Sequence, residues 1–186
     1  MNTRKTVIAA IGTLAIAAPV MADESSSTTP SAEQQCRTEQ TQMGKATFAQ
    51  TYGTNHNRSN AFGKCVSKRE TATSNAQQQA QTNAAKDCKA EEAADPAAFK
   101  AKYGTGKNGN NAYGKCVSSK AKAQENKTIS QETSADVSAA KSCKTERSAD
   151  PAAFKAKYGT NHNKSNAFGK CVSQKAKAQN DDSQTS

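Results

Sequence analysis

Three pairs of cysteines, each pair 28 or 29 residues apart, constrain this chain more than any other feature: Cys36 and Cys65, Cys88 and Cys116, Cys143 and Cys171. Every pair brackets a version of one passage, clearest as C-K-T-E-R-S-A-D-P-A-A-F-K-A-K-Y-G-T-N-H-N-K-S-N-A-F-G-K-C from Cys143 to Cys171. First cysteines recur after 52 and then 55 residues, a period that marks an array of similar units. A unit of this size holds too little interior to fold without a disulfide, a metal or a partner. The chain also lacks Trp and draws much of its apolar content from Ala. Repetition favours closure within each unit, Cys36–Cys65, Cys88–Cys116 and Cys143–Cys171, with pairing between units or between molecules as the rival. Closing a loop of about 29 residues is worth roughly 3–4 kcal/mol on the chain-entropy account.

The start of the chain speaks to the redox compartment. Arg4 and Lys5 precede an apolar stretch from Val7 to Val20, and Val20-Met21-Ala22 offers a small residue at a cleavage point. Residues 1–22 therefore read as an export signal, and disulfides persist in the oxidising compartments to which such signals lead. The apolar stretch is short for a bilayer span, and no second one follows. The expectation is a secreted or cell-envelope protein with no transmembrane segment once the signal is removed.

The fold class expected is all-α: three small disulfide-closed helical modules in tandem, joined by polar linkers. The divisions are a polar leader at 23–32, module 1 at 33–69, a linker at 70–82 and module 2 at 83–124. A second linker at 125–136, module 3 at 137–179 and a polar tail at 180–186 complete the chain. Within a module, Ala84, Ala85 and Cys88 have helical spacing, as do Ala139, Ala140 and Cys143. Asp95-Pro96 and Asp150-Pro151 start a second helix, Asp as cap and Pro at its first position. Gly104 and Gly159 end it where a left-handed residue is wanted. An Asn-rich loop follows, whose last residue (Asn60, Asn111 or Asn166) caps a third helix carrying Phe62, Tyr113 or Phe168 beside the second cysteine. Module 1 departs from its siblings at Met43-Gly44, where they have Asp-Pro. The Gln and Ala of the 70–82 linker also permit frayed helix in place of coil; because no linker presents an apolar face to stack, the expected arrangement is beads and not a tight solenoid.

Chemistry that the residue pattern excludes narrows the function. No Cys-x-x-Cys occurs, and zinc sites need four ligands in close pairs. His56 and His162 occupy equivalent loop positions, but the middle copy has Lys107 there, and solvated loop histidines are the expectation. The Asn-rich loop carries no acid and cannot serve as a calcium loop. Glu39, Glu91 and Glu146 each follow a first cysteine by three residues, and the expected partners are Lys64, Lys115 and Lys170 in surface ion pairs. No cofactor, metal or catalytic set is implied, and the chain is expected not to be an enzyme.

What remains is charge. The formal net charge is +10, and +8 without Arg4 and Lys5. The modules sum to +15 and the segments between and beyond them to −7. Basic modules on mildly acidic strings point to an anionic partner, with solubility alone as the alternative reading of the same charge; Lys100, Lys102, Lys115, Lys155, Lys157 and Lys170 are the candidate polyanion contacts. Aromatics left over for base stacking are lacking, so sequence-specific nucleic-acid reading is not expected.

The passage D-P-A-A-F-K-A-K-Y-G-T…N-A-F-G-K-C-V-S resembles a repeat of uncharacterised exported bacterial proteins of actinobacterial type, across all three modules. That resemblance implies export and repetition and attaches no activity. Together these observations lead to a secreted, non-enzymatic repeat protein that binds anionic polymers at or outside the cell envelope. A structural spacer or stress-related secreted protein without a ligand is the alternative, and an enzyme dependent on His56 and His162 the more distant one.

Overall fold

The computed structural model describes residues 29–184. The expected export signal and most of the leader lie outside the described residues. Seven α-helices make up the regular structure of the rest: α1 Ala32–Met43, α2 Lys45–Tyr52, α3 Ala61–Ala94, α4 Pro96–Tyr103, α5 Ala112–Ala149, α6 Pro151–Tyr158 and α7 Ala167–Gln184. The all-α class and all three intramodule disulfides are as the repetition implied, with Cα–Cα distances of 6.0, 6.0 and 6.1 Å.

Local signals account for the short helices. Asp95 and Asp150 accept hydrogen bonds from the next two free backbone N–H groups, and Pro stands at the first helical position of α4 and α6. Ser31 forms a reciprocal capping box with Gln34, so the leader's last residues already belong to α1. Two expectations need correction. Gly104 and Gly159 are extended, not left-handed, with φ of −71° and −75°. What Gly104 supplies is closeness, because a Cβ there would lie 2.4 Å from the Lys100 carbonyl oxygen and 2.8 Å from the Gly109 Cα. Nor does the terminal Asn of the loop cap its helix. Asn60, Asn111 and Asn166 instead turn back to bind both backbone and hydroxyl of Thr54, Thr105 and Thr160, pinning the loop's start to its end.

The two linkers are not strings. Residues 70–82 lie inside α3 and 125–136 inside α5, so the third helix of one module continues as the first helix of the next. At 1.5 Å per residue, α3 and α5 run about 51 and 57 Å. Ala76, Ala80, Ala84 and Cys88 recur every fourth residue and are all buried, giving α3 the apolar stripe that the linker was expected to lack. Alanine offers little area but the best helix propensity, and its small side chain lets helix axes approach closely. Ala80 and Ala84 pack on Ala121 and Val117 of α5.

The long helices therefore fold back on each other. The Cys88–Cys116 bond joins α3 near its end to α5 near its start, whereas Arg69 near the start of α3 meets Asp136 toward the end of α5. The same reversal brings α7 back along α5. Modules 1 and 3 thus sit together at one end and module 2 alone at the other. The bead arrangement is corrected accordingly. Met43, half-buried, packs against the cores of both modules 1 and 3, which explains its place where the siblings carry an exposed capping Asp.

One position reports the difference between the ends. Phe168 is 3% exposed and covered by the Arg147 guanidinium, 4.7 Å from its ring centre. Its counterpart Tyr113 in the solitary module is 39% exposed, its hydroxyl donating to the Ala85 carbonyl. Replacing Cys88 and Cys116 by Ser should cost about 3 kcal/mol, and hydrogen exchange should rise at the α3–α4–α5 tip while amides around Cys36–Cys65 and Cys143–Cys171 stay protected.

Candidate functional site

Each module builds one polar cluster from the same three places. The Glu three residues after the first cysteine meets the Tyr that ends the middle helix and the base four residues after the second cysteine. In module 2 Glu91 takes Lys102 at 2.7 Å and Lys120 at 2.8 Å, with the Tyr103 hydroxyl donating to it. In module 3 Glu146 takes Lys157 at 2.8 Å, Lys175 at 2.9 Å and the Tyr158 hydroxyl. The expected partners, Lys64, Lys115 and Lys170, precede the cysteine and point elsewhere. A step of one residue turns about 100° around a helix, whereas a step of four returns to the same face.

Module 1 has the same cluster buried. Glu39 is fully enclosed and Arg69 is 1% exposed. Arg69 donates from Nε to Glu39 Oε1 at 2.6 Å and from Nη2 to Asp136, and Tyr52 donates to Glu39. Lys68 adds a 2.6 Å bond to Asp136, and Glu132 stands 3.6 Å from Arg69. Asp136 and Glu132 belong to the segment expected as a solvated acidic linker. They neutralise module 1 across the module 1–module 3 junction, so part of the −7 is consumed inside the fold.

Environment sets the titration of the three equivalent glutamates apart. Hydrogen bonds from Lys102 and Lys120 hold Glu91 down at about 2, and those from Lys157 and Lys175 do the same for Glu146, also about 2. Burial pushes Glu39 up, against the pull of Arg69. Burial also raises Glu132. Tyr52 is driven upward by burial and then by Asp136 and Glu39, and so remains a donor. Burial opposes the charge on Arg69, but Asp136 and Glu39 more than restore it. The cluster is a set of matched donors and acceptors, and among the described residues no group of three metal-ligating side chains gathers.

The six candidate lysines divide. Lys102 and Lys157 are committed to Glu91 and Glu146. Lys100, Lys115, Lys155 and Lys170 are exposed, and among the described residues none of them is in a salt bridge. His56 and His162 are exposed on separate loops. The signal that reasoning from sequence missed was the base four residues beyond each second cysteine: Arg69, Lys120 and Lys175.

Side-chain carboxyl resonances followed by NMR should titrate near 2 for Glu91 and Glu146 and above 4.5 for Glu39. The signs of their linkage differ. Stability due to Glu91 and Glu146 is present above the unfolded value of 4.5 and is lost as pH falls toward about 2. That due to Glu39 is present below its unfolded value and is lost as pH rises through the folded one. Arg69→Ala leaves Glu39 buried without its counter-charge and Asp136 with Lys68 alone, and should cost about 3–5 kcal/mol in urea denaturation; Lys120→Ala should cost far less. Against known proteins, the chain matches no family model, no curated protein and no solved structure.

Proposed function

We propose that this is an exported, non-enzymatic repeat protein that holds anionic polymers at or outside the cell envelope. The supporting observation is the set of exposed lysines at equivalent module positions that no carboxylate among the described residues engages. Lys100 and Lys155 stand on α4 and α6, and Lys64, Lys115 and Lys170 near the starts of α3, α5 and α7. Because modules 1 and 3 meet at one end and module 2 occupies the other, these lysines form two basic ends separated by an amide-rich middle, with Gln79, Asn83, Gln124 and Gln131 lining its groove. Two weak sites on one rigid body engage a polymer jointly when the polymer spans them. Three disulfides suit an oxidising exterior, and no helix among the described residues is long and apolar enough to cross a membrane.

The ligand-free spacer is favoured by one feature, the continuous helices α3 and α5, which would hold two ends apart without any contact chemistry. Chromatography separates the readings. Retention on an immobilised anionic polymer should fall steadily as salt rises, because counterion release drives such binding. A variant with Lys100, Lys115, Lys155 and Lys170 all replaced by Gln should elute at markedly lower salt with unchanged helical circular dichroism. Retention indifferent to salt, or equal in the variant, would leave the spacer.

A further inference from the structure

Where module 1 meets module 3, a cleft of about 180 Å³ gathers four cations, Arg58, Arg147, Lys155 and Lys164, beside Gln50 and Phe168. No carboxylate lines it, and among the described residues none of the four is in a salt bridge. Their placement is built. Arg58 donates from Nη1 to the Gln50 carbonyl within module 1 and from Nη2 to the Ser165 carbonyl across the module boundary, each at 3.0 Å. Arg147 donates to Gln50 Oε1 at 2.5 Å while lying over the Phe168 ring. Lys164 is tethered to the Gly159 carbonyl at 2.9 Å. These bonds leave most of the guanidinium and ammonium N–H groups unspent.

Two further observations set the cleft apart from a chance meeting of bases. Arg58 and Lys164 hold equivalent loop positions, and both have φ of +56°, the left-handed region that costs a non-glycine residue. Module 2 has Gly109 at that position, with φ of +60°. The loop is therefore best served by glycine, and only the two copies that face each other carry a cation instead. Likewise, the position of Arg147 is held in module 2 by Glu92, an acid where the paired end has a base. Four like charges converging without a counter-ion repel one another, and guanidinium and ammonium donors in one concavity match an oxyanion with several acceptor oxygens.

We infer that the cleft between modules 1 and 3 binds a phosphate-type oxyanion through Arg58, Arg147, Lys155 and Lys164. This rests on the polyanion reading and deepens it, assigning one phosphate group of a chain to a defined seat at the paired end.

The test uses the full disulfide-bonded chain, 15N-labelled, titrated with inorganic phosphate and separately with inorganic polyphosphate. Amide shifts should concentrate at residues 50, 58, 147, 155 and 164–165 and spare the module 2 loop around Lys107 and Gly109. The paired variant Lys155→Gln with Lys164→Gly, whose glycine suits the left-handed backbone, should bind phosphate about tenfold more weakly, about 1.4 kcal/mol, with an unchanged or higher Tm. The control Lys107→Gln, an exposed cation on the module 2 loop, should bind as the parent does. Saturation by free phosphate identifies a small ion as sufficient; response to polyphosphate alone identifies a group within a chain, and either supports the seat. Equal affinity in parent and paired variant, or shifts spread evenly over all three loops, overturns it. Salt-sensitive retention on polymer that survives in the paired variant leaves the broader function standing even then.

Discussion

Burying the Arg69 guanidinium is the step on which the paired end of the molecule depends. Removing such an ion from water costs several kcal/mol, and attraction to a partner offsets this only when the remaining donors are also met. Glu39 from α1, the Tyr52 hydroxyl from α2 and Asp136 from α5 meet them together, and no one module contains that set. Module 1 supplies the base and one acid; the segment leading into module 3 supplies the other. The cluster thus converts two units that would each be marginal into one interior, with Met43 packed across the join.

Seen this way, the departures of module 1 from its siblings form one adaptation. Its siblings place Lys where it has Arg69, and cap a helix with Asp where it has Met43. A lysine offers a single point charge, but the planar fork of arginine can address Glu39 and Asp136 at once. In modules 2 and 3 the equivalent glutamate stays near the surface and takes two lysines from its own module. One constellation of residues therefore appears as a superficial ion cluster twice and as a structural keystone once.

Much of this was legible before any coordinates. The repeated cysteine spacing gave the disulfides, and Asp95-Pro96 and Asp150-Pro151 gave two helix starts to the residue. Other features were written in the sequence but weighed wrongly. Ala76, Ala80 and Ala84 stand at regular fours, yet alanines among glutamines read as spacer, because their burial requires a partner helix that local pattern does not reveal. Arg69 was countable as one more surface charge until α5 brought Asp136 beside it, 67 residues away. The left-handed backbone of Arg58 and Lys164 had only one clue, the glycine of the middle copy at the same place.

Sharing helices between neighbouring repeats has a further consequence, one of parity. Each added unit reverses the direction of the chain, so odd-numbered modules gather at one end and even-numbered ones at the other. With three, α1 starts and α7 finishes on the same side: Gln35 reaches Thr73 in mid-α3, and Asn180 lies beside Ala76 and Asn83. Loss of the third unit would leave the last helix pointing at the opposite pole and the module 1 loop without its counterpart, whereas a fourth would reverse that helix too and give module 2 a neighbour. Such an array can grow without altering its layout only by twos.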